Sequence, residues 1–211
     1  MSSNLASKGT FQGGMMDFGD GQTMGKKERI LKVAATLFAA NGFEATSVRR
    51  IASESGLSVP GMFHYFASKE EILAHIIFSF IEDAYLRLNE IIQSDLDPEN
   101  KLKTLCSFYV QRYASHQNEL TILNSEGKSL TPKHQKDFVK KQRIYLEVLE
   151  NIFQEFTKQG ILKPLNHVVL SFLFYGMVGW TSTWYNPKGS VSPKELGDII
   201  SEVFLHGIMK K

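Results

Sequence analysis

The chain has 211 residues, with 24 Lys or Arg against 22 Asp or Glu, a formal charge of +2. It is 43% hydrophobic and 22% charged, ordinary values for a soluble globular protein and enough for a substantial core. So balanced a charge does not by itself point to nucleic acid, and the single cysteine, Cys106, excludes an internal disulfide and fits a reducing cytoplasm.

Residues 1–24 are rich in Gly, Ser and Met, with no sustained apolar period, and read as a disordered arm. Order is expected from Lys26. Ile30, Val33, Ala34, Leu37 and Phe38 follow the spacing of an amphipathic helix, which Asn41-Gly42 ends. Thr46 or Ser47 caps a short second helix whose buried stripe is Val48, Ile51 and Ala52, and Ser55-Gly56 breaks it. A third short helix opens at Ser58, with Pro60 tolerated in its first turn.

Ser68-Lys69-Glu70-Glu71 is a capping-box pattern, and a long helix follows with Ile72, Ile76, Phe80, Ala84 and Leu88 on one face. Asp97-Pro98 starts a helix carrying Leu102, Leu105, Tyr109 and Tyr113. Thr131-Pro132 starts another, with Phe138, Tyr145, Leu149, Ile152 and Phe156, ending at Gly160. Asn166 caps an apolar helix to Tyr185. Its run from Val168 has nearly membrane-span length, but Ser171, Gly176, Gly179, Thr181, Ser182 and Thr183 make it a buried helix, so no membrane partner is expected. Ser192-Pro193-Lys194-Glu195 is a second capping box, opening a helix expected to bury Leu196, Ile199, Ile200, Val203, Phe204 and Ile208. No segment alternates with period two, so the fold class is all-α.

The interval from Thr46 to Phe66 is the most informative. Two helices of about two turns joined by a tight Gly-containing turn match a helix-turn-helix, whose second helix enters the major groove of DNA. Here that helix offers Val59, Gly61, Met62 and His64; Val59 and Met62 suit thymine methyls, and His64 can donate to a base or phosphate. Residues 24–75 hold seven Lys or Arg against five Glu, so few phosphate contacts and a moderate salt dependence are expected.

Ile30, Ala34-Ala35, Leu37-Phe38, Gly42, Phe43, Thr46-Ser47-Val48, Ile51-Ala52, Gly56-Leu57-Ser58, Phe66 and Lys69 closely resemble the signature of the tetracycline-repressor (TetR) family. The resemblance implies phosphate contacts from Thr46 and Ser47, a recognition helix from Ser58 to Tyr65, and a phosphate-binding role for Lys69. Arg49, Arg50, Lys26 and Lys27 stand near enough to help. Two positions depart from the family pattern: Phe63 stands where tyrosine is usual, removing a hydroxyl, and Tyr65 stands where histidine is usual.

Residues 76–211 balance 16 Lys or Arg against 15 acids and give no electrostatic reason to touch DNA. Their aromatics suit a core, and also a pocket between helices; Phe108, Tyr109, Arg112, Tyr113, Tyr145, Phe172 and Tyr175 are the candidate lining for a small-molecule effector. The helix from residue 167 is apolar on nearly all faces, so it and the last helix are expected to pair with a second copy through Trp180, Trp184, Leu196, Ile200, Val203 and Phe204. The segments from Gly179 to Pro193 and from Ser125 to Leu130 resemble family members that respond to acyl-CoA thioesters.

The six histidines are scattered, with none of the short-spaced pairs that build zinc sites, and no phosphate loop, nucleophile elbow or carboxylate pair occurs. No catalytic group, metal or cofactor is expected. The sequence thus reads as a disordered arm (1–24), a helix-turn-helix DNA-binding unit (25–72) and a helical sensing and dimerising unit (73–211). A homodimeric repressor released from double-stranded operator DNA by an effector is the leading reading. A helical carrier of hydrophobic cargo without DNA binding is the alternative, favoured by Phe63.

Overall fold

Local sequence sets where each helix begins. The computed structural model describes residues 25–210; the arm expected over residues 1–24 lies outside them. Among the described residues the elements are α1 (Lys26–Asn41), α2 (Val48–Glu54), α3 (Val59–Phe63), α4 (Lys69–Gln93), α5 (Pro98–Ser115), α6 (Gln117–Glu126), α7 (Pro132–Lys158), α8 (His167–Trp184) and α9 (Pro193–Ile208). A short 3₁₀ turn, Gly127–Ser129, joins α6 to α7. No strand forms among these residues; a lone antiparallel bridge ties Leu162 to Met209.

Side-chain oxygens accept the otherwise unpaired amides at most helix starts. Ser47 takes the Arg50 amide, Ser58 that of Gly61, Ser68 that of Glu71, Asp97 that of Asn100 and Asn166 that of Val169. At α4 the return bond of the expected capping box goes one residue further back, with the Ala67 amide donating to Glu71 at 2.6 Å. Gly42, after α1, has φ +81°, a conformation that disfavours any side chain.

Two apolar cores are joined by α4. The first gathers Ile30, Ala34 and Phe38 of α1, Ile51 of α2, Met62 of α3 and Ile72, Leu73 and Ile77 of α4. It also takes in Ile122, Leu130 and Phe138 from further along the chain, so packing continues without a gap past residue 72. The second gathers Leu88 and Ile91 of α4 with α5, the second half of α7, α8 and α9. Helix α6, which sequence periodicity did not reveal, packs on α1, and the Phe43 amide donates to Glu126 at its end (3.2 Å).

The last helix differs from expectation. Leu196, Ile200 and Phe204 are buried in the core of their own subunit, while Ile199 and Val203 face outward, the latter 60% exposed. Helix α9 lies so close to α5 that a Cβ on Gly197 would stand 2.8 Å from the Ser107 Cα. Gly197→Ala therefore forces two helices apart and should cost about 1–3 kcal/mol in urea denaturation. Gly207→Ala, in the same helix but with nothing within 4 Å of the added methyl, should gain about 0.5–1 kcal/mol from helix propensity alone.

Candidate functional site

The second and third helices form a tight corner. Gly56, with φ +69°, turns the chain between them, and the Leu57 amide returns to the Ala52 carbonyl at 2.9 Å. Because α3 is only five residues long, its anchoring depends on two side chains, Met62 and, just beyond its end, Phe66; both are fully buried. That leaves Ser58, Pro60, Phe63, His64 and Tyr65 on the outside, with Val59 and Gly61 half-buried. Pro60, not among the expected contacts, thus belongs to this face.

Three expected contacts stand differently from their sequence reading. Met62 has no exposed surface to offer a base, because it is the plug that seats α3 on the first core. Thr46 is likewise fully buried, its hydroxyl donating to the Gly42 carbonyl at 2.8 Å. The exposed helix start belongs to Ser47. Lys69 turns inward: its ammonium donates to the carbonyls of Phe43 (2.8 Å) and Thr46 (3.1 Å) and lies 4.1 Å from the centre of the Phe43 ring. One of its three donors remains for a phosphate. It braces the turn before α2.

Around this face, Lys26 and Arg49 are exposed and make no ion pair among the described residues, whereas Arg50 bonds Glu54 at 2.9 Å. Lys27 points to α4, its ammonium 3.2 Å from the His75 Nε2. Partial burial lowers the His75 pKa below 6.5, and the Lys27 charge lowers it further.

A cavity of about 490 Å³ opens between α4, α5, α6, α7 and α8. Six of the seven candidate residues line it: Tyr109, Arg112, Tyr113, Tyr145, Phe172 and Tyr175. Phe108 does not. It is half-buried, its ring against Tyr109. The tyrosines form an ordered relay. Tyr175 donates its one proton to the Tyr145 backbone carbonyl (3.0 Å), so Tyr109, 3.2 Å away, must donate to the Tyr175 oxygen. Burial pushes the hydroxyls of both Tyr109 and Tyr175 well above their ordinary range, so they stay neutral donors. Burial also pushes the Cys106 thiol up to about 12, which leaves it unreactive in the second core.

On the far side of α8, Val169, Leu173, Trp180 and Trp184 are exposed, Trp180 by 67%, and Val203 of α9 extends the same apolar face. The turn from α8 to α9 makes its own bonds, the Tyr185 hydroxyl donating to the Val191 carbonyl and the Gly189 amide to that of Asn186. No helix among the described residues is long and apolar enough to cross a membrane, and no group of three or more potential metal ligands occurs among them.

A short helix presented at a capped corner, with an aromatic cavity behind it, is the layout of a helix-turn-helix transcription regulator. Residues 30–76 match the family described as "Bacterial regulatory proteins, tetR family". Residues 95–208 match "Tetracyclin repressor-like, C-terminal domain". The chain belongs to the TetR family. The HTH-type transcriptional repressor KstR2 of Mycolicibacterium smegmatis is 30% identical over 192 residues, covering 89% of this chain and 92% of that one. KstR2 of Mycobacterium tuberculosis H37Rv is 28% identical over 202 residues, 93% and 99% of the two chains. The solved structure of the M. tuberculosis ketosteroid transcriptional regulator KstR2 superposes with a TM-score of 0.83 at 23% identity, over 90% of this chain and 98% of that one. AibR, solved with isovaleryl coenzyme A and operator DNA, gives 0.77 at 24% identity, over 85% and 97%.

The His75 environment sets a pH dependence. Its folded pKa lies below the unfolded value of 6.5, so the unfolded chain binds the proton more readily. The stability this contributes is complete above 6.5 and is lost as pH falls from there through the folded pKa. Thermal denaturation at pH 7.5 and 5.5 should show a drop in Tm that His75→Gln reduces; an equal drop in both proteins would assign the acid sensitivity elsewhere.

Proposed function

We propose that the chain is a transcriptional repressor that binds palindromic operator DNA as a two-fold homodimer in the cytoplasm and is released by an apolar acyl ligand, with acyl-CoA thioesters as the first class to examine. Residues 25–72 form the DNA-reading unit and residues 73–211 the sensing and dimerising unit, joined through α4. The observation that carries the reading is the pairing of an outward α3 with a large aromatic cavity on the same long helix. AibR, a relative in fold, was solved with both isovaleryl coenzyme A and operator DNA.

In this reading α3 enters the major groove with Ser58, Val59, Pro60, Gly61, Phe63, His64 and Tyr65 toward the bases and flanking phosphates, while Met62 holds the helix from behind. Ser47, Arg49, Lys26 and the spare Lys69 proton contact the backbone, with Lys27 and Thr46 turned to internal partners. Phosphate contacts set affinity and base contacts set specificity. The exposed faces of α8 and α9 meet their copies around the two-fold axis, which sets the two α3 helices at about 34 Å, one turn of DNA apart. The cavity takes the acyl group; 490 Å³ suits a small-molecule body, and the nucleotide end of a coenzyme A would lie outside it.

Two measurements test this. In fluorescence anisotropy against operator and scrambled DNA, His64→Ala should reduce the preference for operator by about tenfold, since a single good base contact is worth about 1–3 kcal/mol. An unchanged preference would remove His64 from base reading, and a wild-type protein with no preference for any selected sequence would favour the cargo-carrier reading. In light scattering, Trp180→Glu places a charge in the apolar face and should convert a dimer to a folded monomer with weakened operator binding; a dimer that persists places the interface elsewhere.

A further inference from the structure

The middle of α4 carries two unusual acceptors. The carbonyls of Phe80 and Ile81 lie within an unbroken helix, yet each also receives a side-chain donor from the cavity wall. Arg112 of α5 donates from Nη2 to the Phe80 carbonyl at 2.6 Å, and Tyr145 of α7 donates its hydroxyl to that of Ile81. The guanidinium also stacks on the Phe80 ring, 4.3 Å from its centre. Two walls of the cavity are thereby fastened to consecutive residues of the helix that leads back to α3.

The Arg112 fastening is incomplete. Its side chain is only 10% exposed, and its one carboxylate partner, Asp83, stands at 3.9 Å and is itself half in solvent. Its Nε is buried without any partner. A buried guanidinium with five donors and one close acceptor is under-satisfied. The surrounding cavity is mostly apolar, and of the two arginines that line it Arg143 is exposed to solvent, so Arg112 is the buried cation that an oxygen-bearing ligand meets inside. Because the guanidinium is planar and rigid, turning it to meet an acceptor in the cavity would carry Nη2 away from the Phe80 carbonyl.

Resting on the effector reading above, we propose that Arg112 is the polar anchor of the cavity: an acyl oxygen of the ligand replaces the Phe80 carbonyl as its partner and so loosens α5 from α4. The shared chemistry is a carboxylate or a thioester carbonyl on an apolar chain. A ligand of the same length without that oxygen fills the cavity but leaves the fastening intact, and so releases DNA poorly.

The test compares three probes: octanoate, octanoyl-CoA, and the S-octyl-CoA thioether, which lacks the carbonyl. Binding is measured by calorimetry and operator release by anisotropy, for the wild type and Arg112→Met, with circular dichroism to establish folding. At least one of the two acyl probes should bind and release operator tenfold better than the thioether, and that ratio should fall to near one in Arg112→Met. Whichever acyl probe is preferred identifies carboxylate or thioester as the source. The thioether matching both acyl probes overturns the proposal, as does a preference that survives Arg112→Met. If Arg112→Met does not fold, Arg112→Lys should show a reduced ratio, and an unchanged one counts against the anchor. Absence of binding by every probe, with operator affinity intact, removes the anchor while leaving the DNA-binding reading standing. Absence of operator binding, with calorimetry still showing the Arg112-dependent preference, does the reverse.

Discussion

Helix α4 buries Ile72, Leu73 and Ile77 beside the helices that carry α3, and Leu88 and Ile91 in the core behind the cavity. Sixteen residues separate Ile72 from Leu88 along one uninterrupted helix, about 24 Å at 1.5 Å per residue. Neither core can be repacked without moving a body that the other core also holds. Most of the molecule's behaviour depends on this shared helix. Lys69 braces its first turn to the corner before α2, and Arg112 and Tyr145 grip its middle from the cavity. The DNA-reading end and the chamber are thus joined by hydrogen bonds as well as by packing. Packed interfaces of this kind switch between discrete arrangements instead of deforming smoothly, and a ligand moves the balance only by its differential affinity for those arrangements.

Helix starts were legible because capping chemistry is local. Ser58, Ser68, Asp97, Asn166 and Ser192 each act where their side-chain oxygen was expected to act. The choice between Thr46 and Ser47 was not legible, since both are hydroxyl residues at the same corner and only the tertiary fold turns one inward. The same holds for Met62 and Phe63. A five-residue helix has too few turns for periodicity to identify a buried face. Helix α6 escaped because Leu120, Ile122 and Leu123 are diluted by Gln, Asn, Thr and Ser, and its position is fixed by packing on α1. In α9 the apolar set was correctly located but wrongly divided. Leu196, Ile200 and Phe204 belong to the subunit, and Ile199 and Val203 to the outer face, a distinction that hydrophobicity alone does not carry.

The candidate cavity was more legible than the DNA face, for a physical reason. Aromatic residues with hydroxyl groups are bulky and need partners when buried, so Tyr109, Tyr145 and Tyr175 gather where three helices can satisfy them. DNA contacts, by contrast, depend on which short side chains a corner happens to turn outward. Lys69 illustrates the point: its charge fits both a phosphate and two backbone carbonyls, and in the unbound protein the carbonyls have it.

Transmission along α4 is best tested by pulsed electron spin resonance between labels on the two recognition units of the proposed dimer. Ala67→Cys places one exposed thiol beside α3, and Cys106, buried with its thiol pushed up to about 12, escapes labelling. With operator bound the account predicts one narrow distance, and with octanoyl-CoA bound instead a longer or broadened one. A distance distribution unchanged by a ligand that calorimetry shows to be bound would contradict it.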